Sequence, residues 1–155
     1  PHRLRGTHRI SVVIDSRIIF GGFEFVPINR AFDENFTAEC DSIYGDDFST
    51  EGKSVVKIGN NVILNYSALD FGADGTDSIV INGSTPNPTN AVQLRYTPEG
   101  GEQASVFLDF AKCDVPTERK FTIPALVGVN DISFVFLPGT KFDFISFRFE
   151  KRSNN

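Results

Sequence analysis

Two acidic residues, Glu39 and Asp143, lie inside apolar, strand-like segments near the two ends of the main part of the chain. Side chains alternate along Phe36–Asp41, which predicts Thr37, Glu39 and Asp41 on one face of a strand. Asp143 lies among phenylalanines, where a carboxylate is costly unless a cation or several donors satisfy it. One interpretation is a calcium ion held by both carboxylates, which would tie the two ends of a domain together. The other is that Glu39 is exposed and Asp143 caps backbone amides in a bulge.

Other kinds of site have weaker support. The only histidines, His2 and His8, precede the predicted domain, which removes His-based triads and most zinc sites from it. No phosphate-binding loop or nucleophile elbow occurs. The segment Asp70–Asp77 has the oxygen ligands of a calcium loop, but Asp and Gly are also ordinary turn residues. A glycosidase active site would rest on the abundance of carboxylates alone.

Composition narrows the classes of partner. The net charge is −5, so no basic field attracts nucleic acid. No apolar run approaches the roughly 20 residues of a membrane span. Cys40 and Cys113 are either one disulfide or two buried thiols. The sequence does not determine the cellular location: it is extracellular or at the cell surface if the parent protein is secreted, and otherwise the bacterial cytoplasm.

Short apolar runs separated by Gly, Pro and Asn predict an all-β sandwich or barrel. Sixteen Phe with no Trp and no Met suit strands better than helices. The predicted strands of the main domain are Phe36–Asp41, Ser54–Ile58, Val62–Leu69, Ser78–Ile81, Ala91–Tyr96, Ala104–Asp109, Lys120–Ile123, Asp131–Leu137 and Phe142–Phe149.

The last predicted strand has two sets of phenylalanines with opposite parity. Phe147 and Phe149 share a face with Asp143, whereas Phe142 and Phe144 point to the other side. This strand is therefore either covered on both faces or bulged near Phe144.

Residues 4–25 repeat the pattern of residues 126–149 at a constant offset of 122, followed by a two-residue insertion in the later copy. Such an offset is typical of one β-sandwich module following another. We expect 1–26 to be a hairpin (His8–Ile14 and Ile18–Val26) left from a preceding module. Residues 27–35 would be a joint, 36–150 the complete module, and 151–155 a polar tail. The matched pairs are Leu4/Leu126, Gly6/Gly128, Ile10/Ile132, Ser11/Ser133, Val13/Val135, Phe20/Phe142, Phe23/Phe147 and Phe25/Phe149.

Three segments together resemble a family 6 carbohydrate-binding module: Phe36–Cys40, Gly59–Tyr66 and Gly128–Phe149. They are more closely similar to the accessory module appended to some family 2 glycoside hydrolases of the β-galactosidase type. That family has an opening E-A-E strand, a G-D-W-x-x-Y strand and a closing D-W/F-x-x-F strand in this order. The likeness covers roughly residues 32–150.

The resemblance implies a β-jelly roll with a structural calcium ion. The second Glu of the opening motif falls on Glu39, and the closing acid falls on Asp143. The first Glu is replaced by Thr37, so one side-chain ligand is weakened or becomes a hydroxyl.

The sugar site implied by the resemblance is incomplete. Such modules usually hold a sugar ring between two aromatic faces. The Trp of the second motif is Val62 here, and the region Val115–Lys120, which commonly carries the second aromatic, has none. Tyr66 lies in a strand and favours core packing. Tyr44, in the loop Ser42–Phe48, is the candidate platform.

The resulting prediction is a non-catalytic carbohydrate-binding accessory module of a larger glycoside hydrolase. Its partners would be an oligosaccharide or polysaccharide and the adjacent modules or catalytic domain of the parent. The alternative is a structural, interdomain or oligomerisation β-sandwich that binds no sugar, which the missing aromatic pair favours.

Overall fold

The computed structural model describes residues 9–24 and 29–152, and its organised part is built almost entirely of β-strands. The predicted all-β fold is therefore confirmed. Among the described residues, no helix has the length and apolar character needed to cross a membrane. The strands are β1 (Asn35–Phe36), β2 (Ser42–Tyr44), β3 (Ser49–Glu51), β4 (Ser54–Ile58), β5 (Val62–Asp70), β6 (Thr76–Pro98), β7 (Ala104–Leu126), β8 (Val129–Phe136) and β9 (Phe142–Lys151).

All strand pairs are antiparallel, in the order β2-β5-β8-β6-β9-β4-β3, with β1 on β9 and β7 on β6. Strand β6 pairs with β9 along Thr76–Ser84 and with β8 along Val92–Pro98. The hairpin β6–β7 therefore belongs to both halves of a sheet that curls into a jelly roll. The predicted separate strands Ser78–Ile81 and Ala91–Tyr96 are joined across a bend, because register shifts between 83 and 89 absorb the Gly and Pro residues.

Phenylalanine rings fill the space between the two layers. The ring centroid of Phe147 lies 4.7 Å from that of Tyr66 and 4.7 Å from that of Phe134. Tilted and edge-to-face pairs of this kind add to the free energy gained by burying the rings. Within residues 9–24 and 29–152, eight phenylalanines are at most 2% exposed: Phe71, Phe110, Phe134, Phe136, Phe142, Phe144, Phe147 and Phe149.

A bulge in β9 explains how phenylalanines of opposite parity are all buried in the same core. Asn82 opposes Ser146 and Gly83 opposes Phe144, so Ile145 is an extra residue in β9. The extra residue switches the parity, and the phenylalanines on both sides of it are buried. The strand passes so close to β6 that a Cβ on Gly83 would lie 2.6 Å from the carbonyl oxygen of Asp143. Of the two alternatives predicted for this strand, the bulge near Phe144 is the one that the structure shows.

The opening segment is not the predicted strand Phe36–Asp41. Strand β1 ends at Phe36, and Thr37–Glu39 forms a 3-10 turn. Thr37 is fully buried and does not share an exposed face with Glu39. Its hydroxyl donates to the Phe144 carbonyl at 2.5 Å and accepts from the Val55 amide at 2.8 Å. These long-range hydrogen bonds outweigh the local alternation that predicted a strand.

The predicted N-terminal hairpin is wrong over the part that the structure describes. Residues 9–24 form no strand, and all of them are exposed. A two-stranded hairpin with no third strand to pack against is marginal in water. The remaining residues of the predicted hairpin, 1–8 and 25–26, lie outside the described residues.

Cys40 and Cys113 are not joined by a disulfide, and both are half-buried. The Cys113 thiol lies 3.4 Å from the carbonyl oxygen of Gly83. Of the two alternatives for these residues, the disulfide is therefore not formed.

Replacing Thr37 with valine should lower the free energy of unfolding by roughly 2 kcal/mol, because the buried Val55 amide and Phe144 carbonyl lose their shared partner. Urea denaturation of the purified chain measures this. Thr50→Val, at an exposed position in β3, is the matched control and should change stability by less than about 0.5 kcal/mol. Equal effects of the two substitutions would show that the Thr37 hydroxyl does not hold the opening turn to β9.

Candidate functional site

A groove runs across one end of the sandwich, where three loops meet the bend of β6. One part, of about 690 Å³, begins at Tyr44. The other, of about 580 Å³, ends at Lys141 and Asp143. The two parts are adjacent, since Asp47 and Asn60 line both, and together they are called the end groove here. Its remaining lining residues are Gly45, Asp46, Lys57, Ile58, Gly59, Asn61, Pro86, Gly139, Thr140 and Phe142.

The turn between β4 and β5 holds the neighbouring loops in place. The Asp47 carboxylate accepts the Asn60 amide at 2.7 Å, and the Asp47 carbonyl accepts the Gly59 amide at 2.8 Å. A Cβ on Gly59 would lie 1.9 Å from the Asp47 carboxylate, so any other residue there would displace this side chain from its contact with Asn60. On the other side, the Asn60 side-chain oxygen accepts the Gly139 amide at 2.8 Å. Asn60 thus joins the floor of the groove to its far wall.

The far wall, the loop between β8 and β9, is also held from the β6 bend. The Asn87 side-chain amide donates to the Gly139 carbonyl at 2.9 Å, and the Thr85 hydroxyl donates to the Lys141 carbonyl at 2.6 Å. Asn90, which is 3% exposed, accepts the Lys141 amide at 3.3 Å. A wall fixed in this way loses little conformational entropy when a ligand binds.

Asp143 lies at the inner end of the groove and is half-buried. One carboxylate oxygen accepts the Lys57 amide at 2.8 Å, and the other accepts the Ser84 hydroxyl at 3.3 Å. Lys57 has a positive φ of 53° and lies where the register between β4 and β9 shifts. Asp143 therefore stabilises this irregularity, as the second of the two sequence interpretations predicts.

The other two predicted calcium ligands lie on the opening turn. Glu39 is exposed, and its carboxylate lies 3.4 Å from the Lys53 ammonium. Thr37 contacts β9 at Phe144, next to Asp143 in the sequence. Within the described ranges, no three His, Cys, Asp or Glu side chains converge on one point. The residues present thus fit a calcium ion only in part, and this site stays a prediction.

The alternative calcium loop, Asp70–Asp77, has the contacts of an ordinary turn. The Asp70 carboxylate accepts the Gly72 amide at 2.9 Å, and Asp77 lies 3.6 Å from the Arg152 guanidinium. These contacts match the simpler interpretation of this segment.

Tyr44 is 68% exposed and lies at the rim of the end groove. It is the last residue of β2, and the predicted loop Ser42–Phe48 begins only after it. Tyr66, in contrast, is buried in the core as predicted, and burial raises the pKa of its hydroxyl well above the ordinary value.

A second exposed aromatic ring, Phe107, lies in the same row of side chains as Tyr44, four strands away. Directly opposed residues share a face of a sheet, and one row crosses it in the order Tyr44, Ile63, Val135, Gln93 and Phe107. Phe107 is 54% exposed. The sequence interpretation missed it, although the alternation in β7, with Leu108 buried next to it, places Phe107 outside.

Two positions from the family motif cannot serve as platforms. Val62 is fully buried in the core, and the region Val115–Lys120 lies inside β7 rather than in a loop. On the outer face of the other layer, Arg148 and Glu118 form a two-point ion pair at 2.6 and 2.9 Å, which lowers the pKa of Glu118. Lys120 and Glu150 pair at 2.5 Å on the same face.

No protein-family model matches this chain, and comparison with curated proteins gives no match. Solved structures do match. A family 6 carbohydrate-binding module from Clostridium stercorarium, in complex with cellobiose, is 26% identical over 82% of this chain and 100% of its own, with a TM-score of 0.67. The fold is the jelly roll of these modules.

Further neighbours are less similar in sequence and support the fold alone. A family 6 module from Clostridium cellulolyticum, in complex with xylose, is 19% identical over 78% of this chain and 98% of its own, with a TM-score of 0.65. A family 43 arabinoxylan arabinofuranohydrolase from Bacillus subtilis is 18% identical, with a TM-score of 0.64. That match covers 85% of this chain but 29% of the enzyme. The structural neighbours are thus mostly binding modules rather than enzymes.

Asp143→Ala should destabilise the chain more than Glu39→Ala. Removing Asp143 leaves the Lys57 amide without its partner and should cost about 1–3 kcal/mol of unfolding free energy. Glu39 makes only a surface ion pair, worth less than about 1 kcal/mol. Thermal or urea unfolding in calcium-free buffer, where neither residue acts through a metal, compares the two. A larger loss for Glu39→Ala would contradict this assignment.

Proposed function

We propose that this chain is a non-catalytic carbohydrate-binding module that binds an oligosaccharide at the end groove. The observation that carries the proposal is the match over the full length of a cellobiose-bound family 6 module. The exposed ring of Tyr44 at the rim of a pre-formed groove supports it.

Tyr44 would supply the apolar contact. The C–H groups of a pyranose ring pack against an aromatic face, and burial of such a contact excludes water. The exposed side chains of Asp46, Asn60 and Asn61 line the same part of the groove and offer donors and acceptors to sugar hydroxyls. The loop contacts of Asn60 and Asn87 hold this surface ready for binding.

A single aromatic ring implies weak binding. One ring contact contributes about 0.5–1.5 kcal/mol beyond its buried area, and the groove lacks the opposing ring of a two-sided clamp. Cellobiose and xylose, bound by two of the structural neighbours, are the first probes. Phe107, four strands away from Tyr44 in the same row, would come into contact only with a longer sugar chain.

The parent protein would be a glycoside hydrolase. The sequence resemblance favours an enzyme of the family 2 β-galactosidase type. The match to a minor part of a longer arabinofuranohydrolase supports the accessory role in general. In such an enzyme, the adjacent modules or the catalytic domain would be partners of this sandwich.

A structural calcium ion is part of the proposal. Glu39 and Asp143 would hold it, with Thr37 or nearby backbone carbonyls supplying further oxygens. The contact between the opening turn and β9 supports this arrangement. The ion would neutralise the Glu39 carboxylate in place of Lys53.

The second candidate function is a structural module that binds no sugar. Burial of Val62 and the place of Val115–Lys120 within a strand favour it, because both remove the usual aromatic clamp. Absence of binding to any glycan at millimolar concentration would select this function.

Tyr44→Ala should weaken binding of cellobiose or xylo-oligosaccharides roughly 2- to 10-fold, as expected for the loss of one ring contact. Isothermal titration calorimetry measures the dissociation constants. Tyr44→Phe keeps the ring and is the matched control, which should bind nearly as well as the natural sequence. Equal binding by Tyr44→Ala would exclude the end-groove platform.

Calcium should raise the melting temperature if the predicted site forms, because an ion that binds only the folded state stabilises it. Thermal melts in millimolar calcium and in chelator compare the two states. The double variant Glu39→Gln/Asp143→Asn, which removes both charges while keeping the size of the side chains, should abolish the difference. Identical melting temperatures with calcium and with chelator would remove calcium from the proposal.

A further inference from the structure

The charged side chains of the end groove are unevenly distributed along it. In the part that begins at Tyr44, the charged lining residues are Asp46 and Asp47, and no described lysine or arginine lines that part. The other part contains both Lys57 and Lys141. Among the described residues that line the groove, the cations therefore lie at the end away from Tyr44, and the Tyr44 end is acidic.

Lys141 combines a fixed backbone with an exposed side chain. Its amide donates to the Asn90 side chain at 3.3 Å, and its carbonyl accepts the Thr85 hydroxyl at 2.6 Å. Its ammonium group forms no ion pair with any residue in the ranges 9–24 and 29–152. An anionic group could therefore approach this ammonium without first displacing a carboxylate, and the fixed backbone limits the entropy lost on binding.

Lys57 supplies the second cation of this part of the groove. The Asp143 carboxylate accepts its amide at 2.8 Å, which fixes the backbone of Lys57 beside the groove. Its ammonium group lies 3.3 Å from the Glu51 carboxylate, and both side chains are more than 60% exposed. Ion pairs between such exposed groups contribute little, so a ligand could replace Glu51 at small cost.

The carboxylates that face these lysines already accept hydrogen bonds. Asp143 accepts the Lys57 amide and, at 3.3 Å, the Ser84 hydroxyl. Asp47 accepts the Asn60 amide at 2.7 Å. Donors of this kind compensate part of a carboxylate charge. An anionic group in the groove is therefore repelled least at the end that carries the lysines.

We propose that the end groove selects an acidic oligosaccharide. A neutral sugar residue packs on Tyr44, and an anionic group of the same sugar chain, a uronic carboxylate or a sulfate ester, contacts Lys141 and Lys57. The inference rests on the proposed function, because it names the class of sugar that the same groove takes. Complementary charges of this kind determine specificity more than affinity.

The net charge of the chain makes such a preference diagnostic. At −5, the protein as a whole repels anions. Tighter binding of an acidic sugar than of its neutral counterpart therefore requires local cations such as Lys57 and Lys141. If the two lysines were only solvated surface groups, the neutral sugar would bind as well or better.

Cellobiose and two acidic derivatives of it test the proposal. The derivatives carry a carboxylate or a sulfate ester at C6 of the non-reducing glucose residue, so the three ligands differ in one group. Isothermal titration calorimetry on the 155-residue chain at low ionic strength, where screening is weak, should give roughly 3- to 10-fold tighter binding for at least one acidic derivative. The tighter of the two identifies the anionic group. Equal or weaker binding of both derivatives would overturn the proposal.

Substitutions of Lys141 show whether the preference comes from the groove. Lys141→Gln should remove most of the preference, expressed as the ratio of the dissociation constants for cellobiose and the acidic derivative, and Lys141→Glu should reverse it. Lys151→Gln is the matched control, because Lys151 is exposed and is the last residue of β9, whereas Lys141 directly precedes the first. This control removes the same charge and should keep the ratio. Equal losses in Lys141→Gln and Lys151→Gln would indicate an effect of net charge and contradict the proposal.

The neutral sugar separates this inference from the proposed function. Binding of cellobiose that Tyr44→Ala weakens, without a preference for either acidic derivative, would support the proposed function and overturn the inference. Binding of an acidic derivative that depends on Lys141 would support the inference, even where cellobiose alone binds too weakly to measure. Absence of binding by all three ligands would overturn both.

Discussion

The extra residue Ile145 in β9 is the constraint on which the sandwich depends. Without the bulge, Phe142 and Phe144 would point away from the core that Phe147 and Phe149 fill. With it, one strand gives four rings to the same core and pairs with β1, β4 and β6. Burying each ring contributes roughly 1.5–3 kcal/mol before entropy is subtracted. The polar contacts of Thr37 and Asp143 lie beside this bulge and satisfy the backbone groups that the irregular pairing leaves without ladder partners.

A second irregularity, where the pairing of β4 with β9 shifts register, positions the candidate site. Asp143 holds Lys57 where β4 shifts register, and the loop before β9 forms the far wall of the end groove. Side chains from the β6 bend and the β4–β5 turn then hold that wall. The binding surface is thus built by side-chain contacts between distant segments rather than by the local conformation of one loop.

Local patterns predict the strands well where a regular ladder determines the structure. Ser54–Ile58 has the predicted bounds, and the parity of the phenylalanines in β9 limits that strand to two alternatives, of which the bulge is observed. Local patterns predict the conformation wrongly where a hydrogen-bond partner from a distant segment determines it. The Thr37 side chain points inward because it bonds to the Phe144 carbonyl and the Val55 amide. Both partners are distant in the sequence, so the residues around Thr37 do not predict these contacts. The Gly and Pro residues of β6 bend a continuous strand that passes from one layer to the other. The same residues are typical of a loop between two strands, so the sequence alone does not separate the two cases.

In the candidate site, too, local sequence predicts some features and contacts between distant segments determine the others. Tyr44 could be predicted as an exposed ring because polar turn residues follow it, and Tyr66 as a core residue because it lies in a strand. Phe107 could have been found by the alternation of its strand, although its place in the same row as Tyr44 depends on the order of five strands. The contacts of Asn60 and Asn87 depend on three loops meeting at one end, which no spacing in the sequence indicates.

Chemical-shift mapping by NMR tests the central claim most directly. Titration of the labelled chain with cellobiose and xylo-oligosaccharides to millimolar concentration should shift the amide signals of Tyr44, Asn60 and Lys141 together, with one saturation curve. Signals on the charged face that carries Arg148 and Glu118 should stay in place. No shifts at the end groove with any of these sugars, or shifts confined to the charged face, would contradict the account.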